Sequence, residues 1–163
     1  KGKYWWKKLL YLKEKHKIPH QLVLGGREDL HYTKVRDEIN NSPYKQDIIT
    51  TGFIKDEELP LLYQGAEAHI IPAFIEGFGL IAIEAQTCGT PVVSSNTSCL
   101  PEIIQDSGLF FDPKNENEMA DQIYKVLNNK KLQEELIQKG FENVKRFSWE
   151  RTAQETVKIY ESI

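Results

Sequence analysis

Along the whole chain, short runs of apolar residues alternate with longer stretches in which apolar side chains recur at helical spacing. Tyr4, Trp5, Leu9 and Leu12 among lysines predict a helix over residues 3–17, stopped by Pro19. Residues 21–24 read as a short apolar strand that turns at Gly25-Gly26, where the backbone can approach a partner closely. Leu30, Val35 and Ile39 set among charges predict a surface helix over residues 28–41, broken by Asn40-Asn41-Ser42-Pro43. The β-branched run at residues 48–51 predicts a second buried strand, closed by Gly52-Phe53.

The next helix is expected to start at Asp56 or Glu57, with Pro60 in its first turn, where a missing N–H costs least. Residues 68–73 form a third strand and residues 91–95 a fourth. His69, inside the third, is read as a packed core histidine rather than a ligand or base. Between these strands lie a glycine-bearing loop and a short apolar helix that ends at Gly89. Pro101 opens a further short helix, and residues 109–111 make a small edge strand. Asn115 with Glu118 predicts a capping box for a helix through Met119, Ile123, Val126 and Leu127. Residues 130–145 form a second helix whose many charges make a solvated face. Ser148 is a good N-cap ahead of an amphipathic terminal helix over residues 152–163. Strands alternating with helices predict a parallel sheet covered on both faces, a Rossmann-like three-layer α/β domain.

Composition bounds the partners more than the fold. With 163 residues, 40% of them hydrophobic, the chain can bury a core without disulfides or metal. Its 21 basic and 24 acidic side chains give a formal charge of -3, so no overall field draws nucleic acid or an anionic membrane. Cys88 and Cys99 form no C-x-x-C pair and have no histidine at metal spacing, so they are read as reduced and packed, with no structural zinc. The sequence shows no signal peptide and no apolar run near the roughly 18 residues of a membrane helix. A cytoplasmic location is therefore expected. An amphipathic helix at the very start, without a strand before it, reads as a fragment of a larger protein.

The chemistry concentrates between Pro72 and Val93. Loops that follow the strands of a parallel sheet gather at one edge, here residues 25–26, 52–53, 76–79 and 94–98. Gly77 and Gly79 allow a tight turn into a helix whose first N–H groups point outward, an anion site suited to phosphate. Glu84 lies roughly a turn and a half into that helix, and its acceptor-only carboxylate suits the two hydroxyls of a ribose. Glu76 precedes the helix, nearer to whatever lies beyond the phosphate. The ligand implied is a nucleoside diphosphate with a polar substituent. On the glycines alone, plain fold punctuation explains the turn as well as nucleotide binding does.

The run E-G-F-G-L-x-x-x-E-A at residues 76–85, followed by C-G-T-P-V-V and by L-P-E at residues 100–102, resembles the signature of retaining glycosyltransferases of family 4. The two glutamates are eight positions apart, as in that family's E-x7-E pattern. L-V-x-G-G at residues 22–26, T-G-F at residues 51–53, the D-E-E-L-P run, G-L-F-F-D-P from Gly108 and R-F-S-W from Arg146 extend the likeness over nearly the whole chain. The resemblance implies the C-terminal, donor-binding half of a GT-B enzyme, whose N-terminal acceptor-binding domain lies outside this chain. Any membrane association would run through that other half.

By the same resemblance, Glu76 contacts the donor sugar beside the reacting carbon, and Glu84 holds the ribose. The backbone of Gly77, Phe78, Gly79 and Leu80 holds the diphosphate, and Gly25, Gly26, Gly52 and Phe53 border the nucleotide. No metal or other cofactor is expected. The family's arginine segment, G-R-x-x-x-K-G, is missing, with Lys1-Gly2 as its only remnant, and the expected first strand is missing too. Activity as a hexosyltransferase-like enzyme is expected of the intact protein, and little transfer of this domain alone. Competing readings are a non-catalytic nucleotide-binding module, a sugar-nucleotide epimerase of the same architecture and a dinucleotide oxidoreductase. The last lacks a G-x-G-x-x-G after the early strand.

Overall fold

The structure, a computed structural model, describes residues 7–27 and 32–163. Helix α1 (Lys7–His16), strand β1 (Leu22–Gly25), helix α2 (Tyr32–Asn40), strand β2 (Ile48–Gly52) and helix α3 (Leu59–Gly65) come first. Strand β3 (His69–Ile71), helix α4 (Leu80–Thr87), strand β4 (Val92–Ser95), helix α5 (Leu100–Ile104) and strand β5 (Gly108–Phe111) follow. Helices α6 (Glu116–Leu127), α7 (Lys130–Val144) and α8 (Trp149–Glu161) close the chain.

Every strand pairing is parallel, as the alternation of strand and helix requires. The strands form two hydrogen-bonded pieces, β1-β2 and β3-β4-β5, where one continuous sheet was expected. One core joins them: Leu12, Leu22, Ile39 and Ile48 pack with Val93, Phe111, Met119 and Ile123 under α1, α2 and α6. At their amino ends the pieces lie side by side, with His20 Nε2 just before β1 standing 3.2 Å from Glu67 Oε2 just before β3. The opposite face of the three-stranded piece carries a second core, in which Tyr63, Ile71, Ala82, Ala85, Val92, Leu100 and Ile104 pack under α3, α4 and α5.

That second layer stops short of β1 and β2. Ile49 is 41% exposed beside a buried Ile48, so β2 buries one face rather than both, a correction to the expected buried strand. Its β-branched run satisfied the pleat, but among the described residues no helix buries the far side.

Local signals acted largely as expected, with shifted boundaries. The predicted strand over residues 68–73 shortens to His69–Ile71, and α3 starts at Leu59 rather than at Asp56 or Glu57, with Pro60 in its first turn. Helix α4 ends in a Schellman motif: Gly89, at φ 77°, donates to Gln86 O at 3.0 Å, and Thr90 N donates to Ala85 O at 2.9 Å. The expected capping box of α6 forms by half. Asn115 Oδ1 accepts from Glu118 N at 3.2 Å, but the Glu118 carboxylate accepts from Asp112 N at 3.1 Å instead of reaching back to Asn115. The turn after β5 presents the Asp112 amide within reach of that carboxylate. Ser148 does cap the last helix, accepting from Arg151 N, and α8 begins immediately after it rather than at Thr152. None of α8's residues is buried, and Trp149 is 78% exposed, so its apolar stripe stays open to solvent among the described residues.

Candidate functional site

In both pieces the strands point the same way, so the loops leaving them collect at their carboxyl ends. On the smaller piece, Gly26 N donates to Gly52 O at 3.0 Å, tying the turn after β1 to the turn after β2. A β-bulge between Leu24 and Gly25 precedes that tie. A Cβ on Gly25 would come within 2.6 Å of Ile54 Cδ1, the movable end of that side chain. Phe53 is exposed, and the Arg27 guanidinium lies over its ring at 4.6 Å. Gly25, Gly26, Gly52 and Phe53 thus form one cluster, and Arg27 adds a cation that the sequence reading passed over. An arginine directly after the Gly-Gly turn was the available signal. Lys1 lies outside the described residues.

On the larger piece, the loop from β3 to α4 is held by the loop after β4. Ser95 Oγ and Thr97 Oγ1 donate to Ala73 O at 2.5 and 3.1 Å. Further along, Ser98 Oγ donates to Glu76 O at 2.8 Å, the Cys99 thiol donates to the same oxygen at 3.2 Å, and Glu76 N donates back to Ser98 Oγ at 3.4 Å. Glu76 therefore has a fixed main chain and a half-buried side chain, whose carboxylate pairs with no donor among the described residues. Ser98 was placed in a loop by the sequence and Cys99 was read as packed, but neither was recognised as an anchor of Glu76; only long-range contact reveals that.

Gly79 is the N-cap of α4, in the left-handed region at φ 95° and ψ 36°. A glycine there serves the turn and brings no side-chain oxygen, so no side chain caps the helix. Ala82 N donates to Gly79 O at 2.9 Å, while the Leu80 and Ile81 amides keep their donor capacity at the positive end of the helix dipole. Leu80 and Gly77 are exposed beside them, and Phe78 meets the Phe147 ring edge-on at 5.9 Å. Glu84 lies in the next turn of α4, exposed, with one carboxylate oxygen accepting from Tyr63 Oη at 3.0 Å.

A buried polar bridge supports this helix from behind. Gln86 Nε2 donates to Ser107 Oγ at 2.7 Å, while Gln86 Oε1 accepts from Asn143 Nδ2 at 2.8 Å. Arg146 extends the bridge, donating to Asn143 Oδ1 at 2.7 Å and to Glu102 O at 3.3 Å. The L-P-E and R-F-S-W motifs, distant in sequence, thus meet behind α4. His69 is partly buried, its ring edge-on to Tyr63, and burial lowers its pKa to about 4. It is a neutral packing residue, as expected. Among the described residues no group of three His, Cys, Asp or Glu side chains gathers as a metal site, and no helix is long and apolar enough to cross a membrane.

Parallel strands, two helical layers and glycine turns gathered at the strand carboxyl ends define a Rossmann-like α/β domain of the GT-B kind. The chain belongs to the family described as glycosyl transferases group 1, which matches it over residues 6–143. It is 39% identical over 109 residues to O-antigen chain mannosyltransferase B of Escherichia coli, covering 67% of this chain and 29% of that protein. To a D-inositol 3-phosphate glycosyltransferase of Nocardioides it is 35% identical, covering 66% of this chain and 24% of the relative. The chain thus spans about a quarter to a third of these relatives' length. Among solved structures, sucrose-phosphate synthase from Thermosynechococcus elongatus superposes with a TM-score of 0.83 at 28% identity, over 96% of this chain and 41% of that one. Anabaena HepE, in complex with UDP and glucose, has a TM-score of 0.77 at 20% identity, over 88% and 40%.

Proposed function

We propose that this chain is the donor-binding domain of a retaining glycosyltransferase that moves a sugar from a nucleoside diphosphate sugar to an acceptor hydroxyl. The observation that carries the reading is the glycine-capped start of α4, with the free Leu80 and Ile81 amides between Glu76 on one side and Glu84 on the other. Those amides suit a diphosphate, and their fixed dipoles stabilise the negative charge that grows on it as the bond to the sugar breaks. Glu84 accepts from the ribose, and Glu76 reaches the sugar next to the reacting carbon. The bond from that carbon to the diphosphate oxygen breaks and a bond to the acceptor oxygen forms on the same face. The acceptor's proton leaves to the diphosphate or to a group outside this chain.

Glu76 and Glu84 are not a glycosidase acid and base, since that pair flanks the scissile bond and Glu84 sits at the nucleoside end. Arg27 over Phe53 supplies a cation at the nucleotide border. Family membership supports transfer as the activity of the intact protein, with the acceptor domain in another segment. The open edges of β1 and β3, parallel strands that share a core without pairing, suit a domain whose remaining strand comes from elsewhere in the protein. Isothermal titration of the intact protein with UDP and with GDP tests the reading. Saturable binding of one of them that is lost on phosphate removal is expected; no binding of either at millimolar concentration overturns it.

A further inference from the structure

Tyr63 is the one buried side chain of α3, on a helix whose Leu61 and Leu62 are exposed. Its hydroxyl crosses to the neighbouring helix and donates to Glu84 Oε2 at 3.0 Å. The residue is itself held: its carbonyl accepts from the buried Thr90 Oγ1 at 2.6 Å, and its ring meets the His69 ring edge-on with centroids 5.2 Å apart. Burial, and then the neighbouring Glu84 carboxylate, raise the Tyr63 pKa above its ordinary value, so the phenol keeps its proton and donates. Glu84 is exposed, and an exposed glutamate on a helix surface ordinarily samples several rotamers. Here one of its two oxygens is tied to a rigid donor, while the other keeps its full acceptor capacity.

We propose that Tyr63 is a positioning residue for Glu84, fixing the carboxylate so that its remaining acceptor sites meet the vicinal hydroxyls of a ribose. This rests on the reading of Glu84 as the ribose acceptor. A carboxylate already held in one orientation loses less freedom on binding, so the affinity gained from the diol is larger. A tyrosine serving only the core would need its ring buried and its hydroxyl satisfied, and nothing more. The two roles separate in the dependence on the diol.

The experiment compares UDP and GDP with their 2′,3′-dideoxy forms by titration calorimetry on the intact protein and its Tyr63→Phe and Glu84→Ala variants. Tyr63→Phe is expected to weaken the preferred ribonucleotide by about tenfold, to leave the dideoxy form within about twofold, and to add nothing on top of Glu84→Ala. Equal losses for the ribo and dideoxy forms, or wild-type affinity in Tyr63→Phe while Glu84→Ala weakens binding, overturn the positioning role and leave Glu84's role standing. Unchanged affinity in Glu84→Ala removes the ribose reading itself, and the inference with it. If Tyr63→Phe fails to fold by circular dichroism, Glu84→Asp replaces it, since it keeps the charge but draws the carboxylate back by one methylene. Loss of diol discrimination is expected of Glu84→Asp too, and wild-type discrimination overturns the inference.

Discussion

Asn143 on α7 donates to Gln86 on α4 at 2.8 Å, and both side chains are buried although 57 residues separate them. Each is satisfied by more than its partner: Gln86 also donates to Ser107 Oγ, and Asn143 also donates to Ile103 O at 3.0 Å. Gly140 makes the approach possible, because a Cβ there would stand 3.2 Å from Gln86 Cγ. Cutting such a network leaves buried groups without partners, which costs more than the lost bonds themselves. Gln86→Ala is expected to destabilise the protein by about 2–4 kcal/mol in urea unfolding. A double-mutant cycle with Asn143→Ala should show a coupling of about 1 kcal/mol or more. Additive effects of the two changes would show that the bridge stabilises nothing as a unit.

Gly79→Ala should damage both fold and site. Its φ of 95° costs a non-glycine residue about 1–2 kcal/mol, and the new Cβ would stand 3.0 Å from Leu100 Cδ2. Nucleoside diphosphate affinity should fall with it, as the first turn of α4 shifts. Gly65→Ala at the end of α3 is the control, since a Cβ there meets nothing within 4 Å and the residue is not in the left-handed region. Thermal melts and UDP or GDP titrations of both variants check this, and equal behaviour of the two would remove Gly79's special place.

His69 makes stability depend on acid. Its folded pKa of about 4 lies below the ordinary histidine value, so the unfolded chain binds a proton that the folded chain refuses. Above pH 6.5 both states hold the ring neutral and this proton linkage vanishes, and stability is lost as pH falls from there towards 4. By pH 5 the loss from this residue is about 2 kcal/mol. Urea midpoints of wild type and His69→Phe, measured at pH 7.5 and pH 5, isolate it from the carboxylates. The variant should lose less stability on acidification, and parallel losses would exclude the assignment.

Glu76→Gln is expected to separate binding from turnover. The carboxylate has no protein partner among the described residues, so the fold has little need of its charge. Initial-rate and titration measurements on the intact enzyme should show kcat lower by on the order of 100-fold, with nucleoside diphosphate affinity within about twofold. A loss confined to affinity would move Glu76 to the nucleotide side of the site.

The order of strands and helices was legible because each element carries its own period and its own stop signal. Gly89, Pro60 and Ser148 act on the residues next to them, and they act as read. Ile49 misled because a β-branched run reports compatibility with a strand, not how many faces of that strand are covered. Glu118 misled for a related reason: a capping carboxylate takes whichever amide the preceding turn presents, and here that is Asp112. At the site, the Gly79 turn and both glutamates were visible in the motif. Tyr63, Ser98 and Asn143 were not, since each matters through a partner brought close only by folding.

Ser98 and Cys99 grip both sides of the Glu76 peptide from the far side of the β3-α4 loop. The main chain of Glu76 is therefore ordered before any ligand arrives. Bringing its carboxylate to a sugar requires only side-chain torsions to settle, at most about 2 kcal/mol of rotamer entropy, rather than the freezing of a loop at roughly 1–2 kcal/mol for every backbone residue. The short loop after β4 has thereby shifted the entropic burden of assembling the site from the binding event to the folding of the domain.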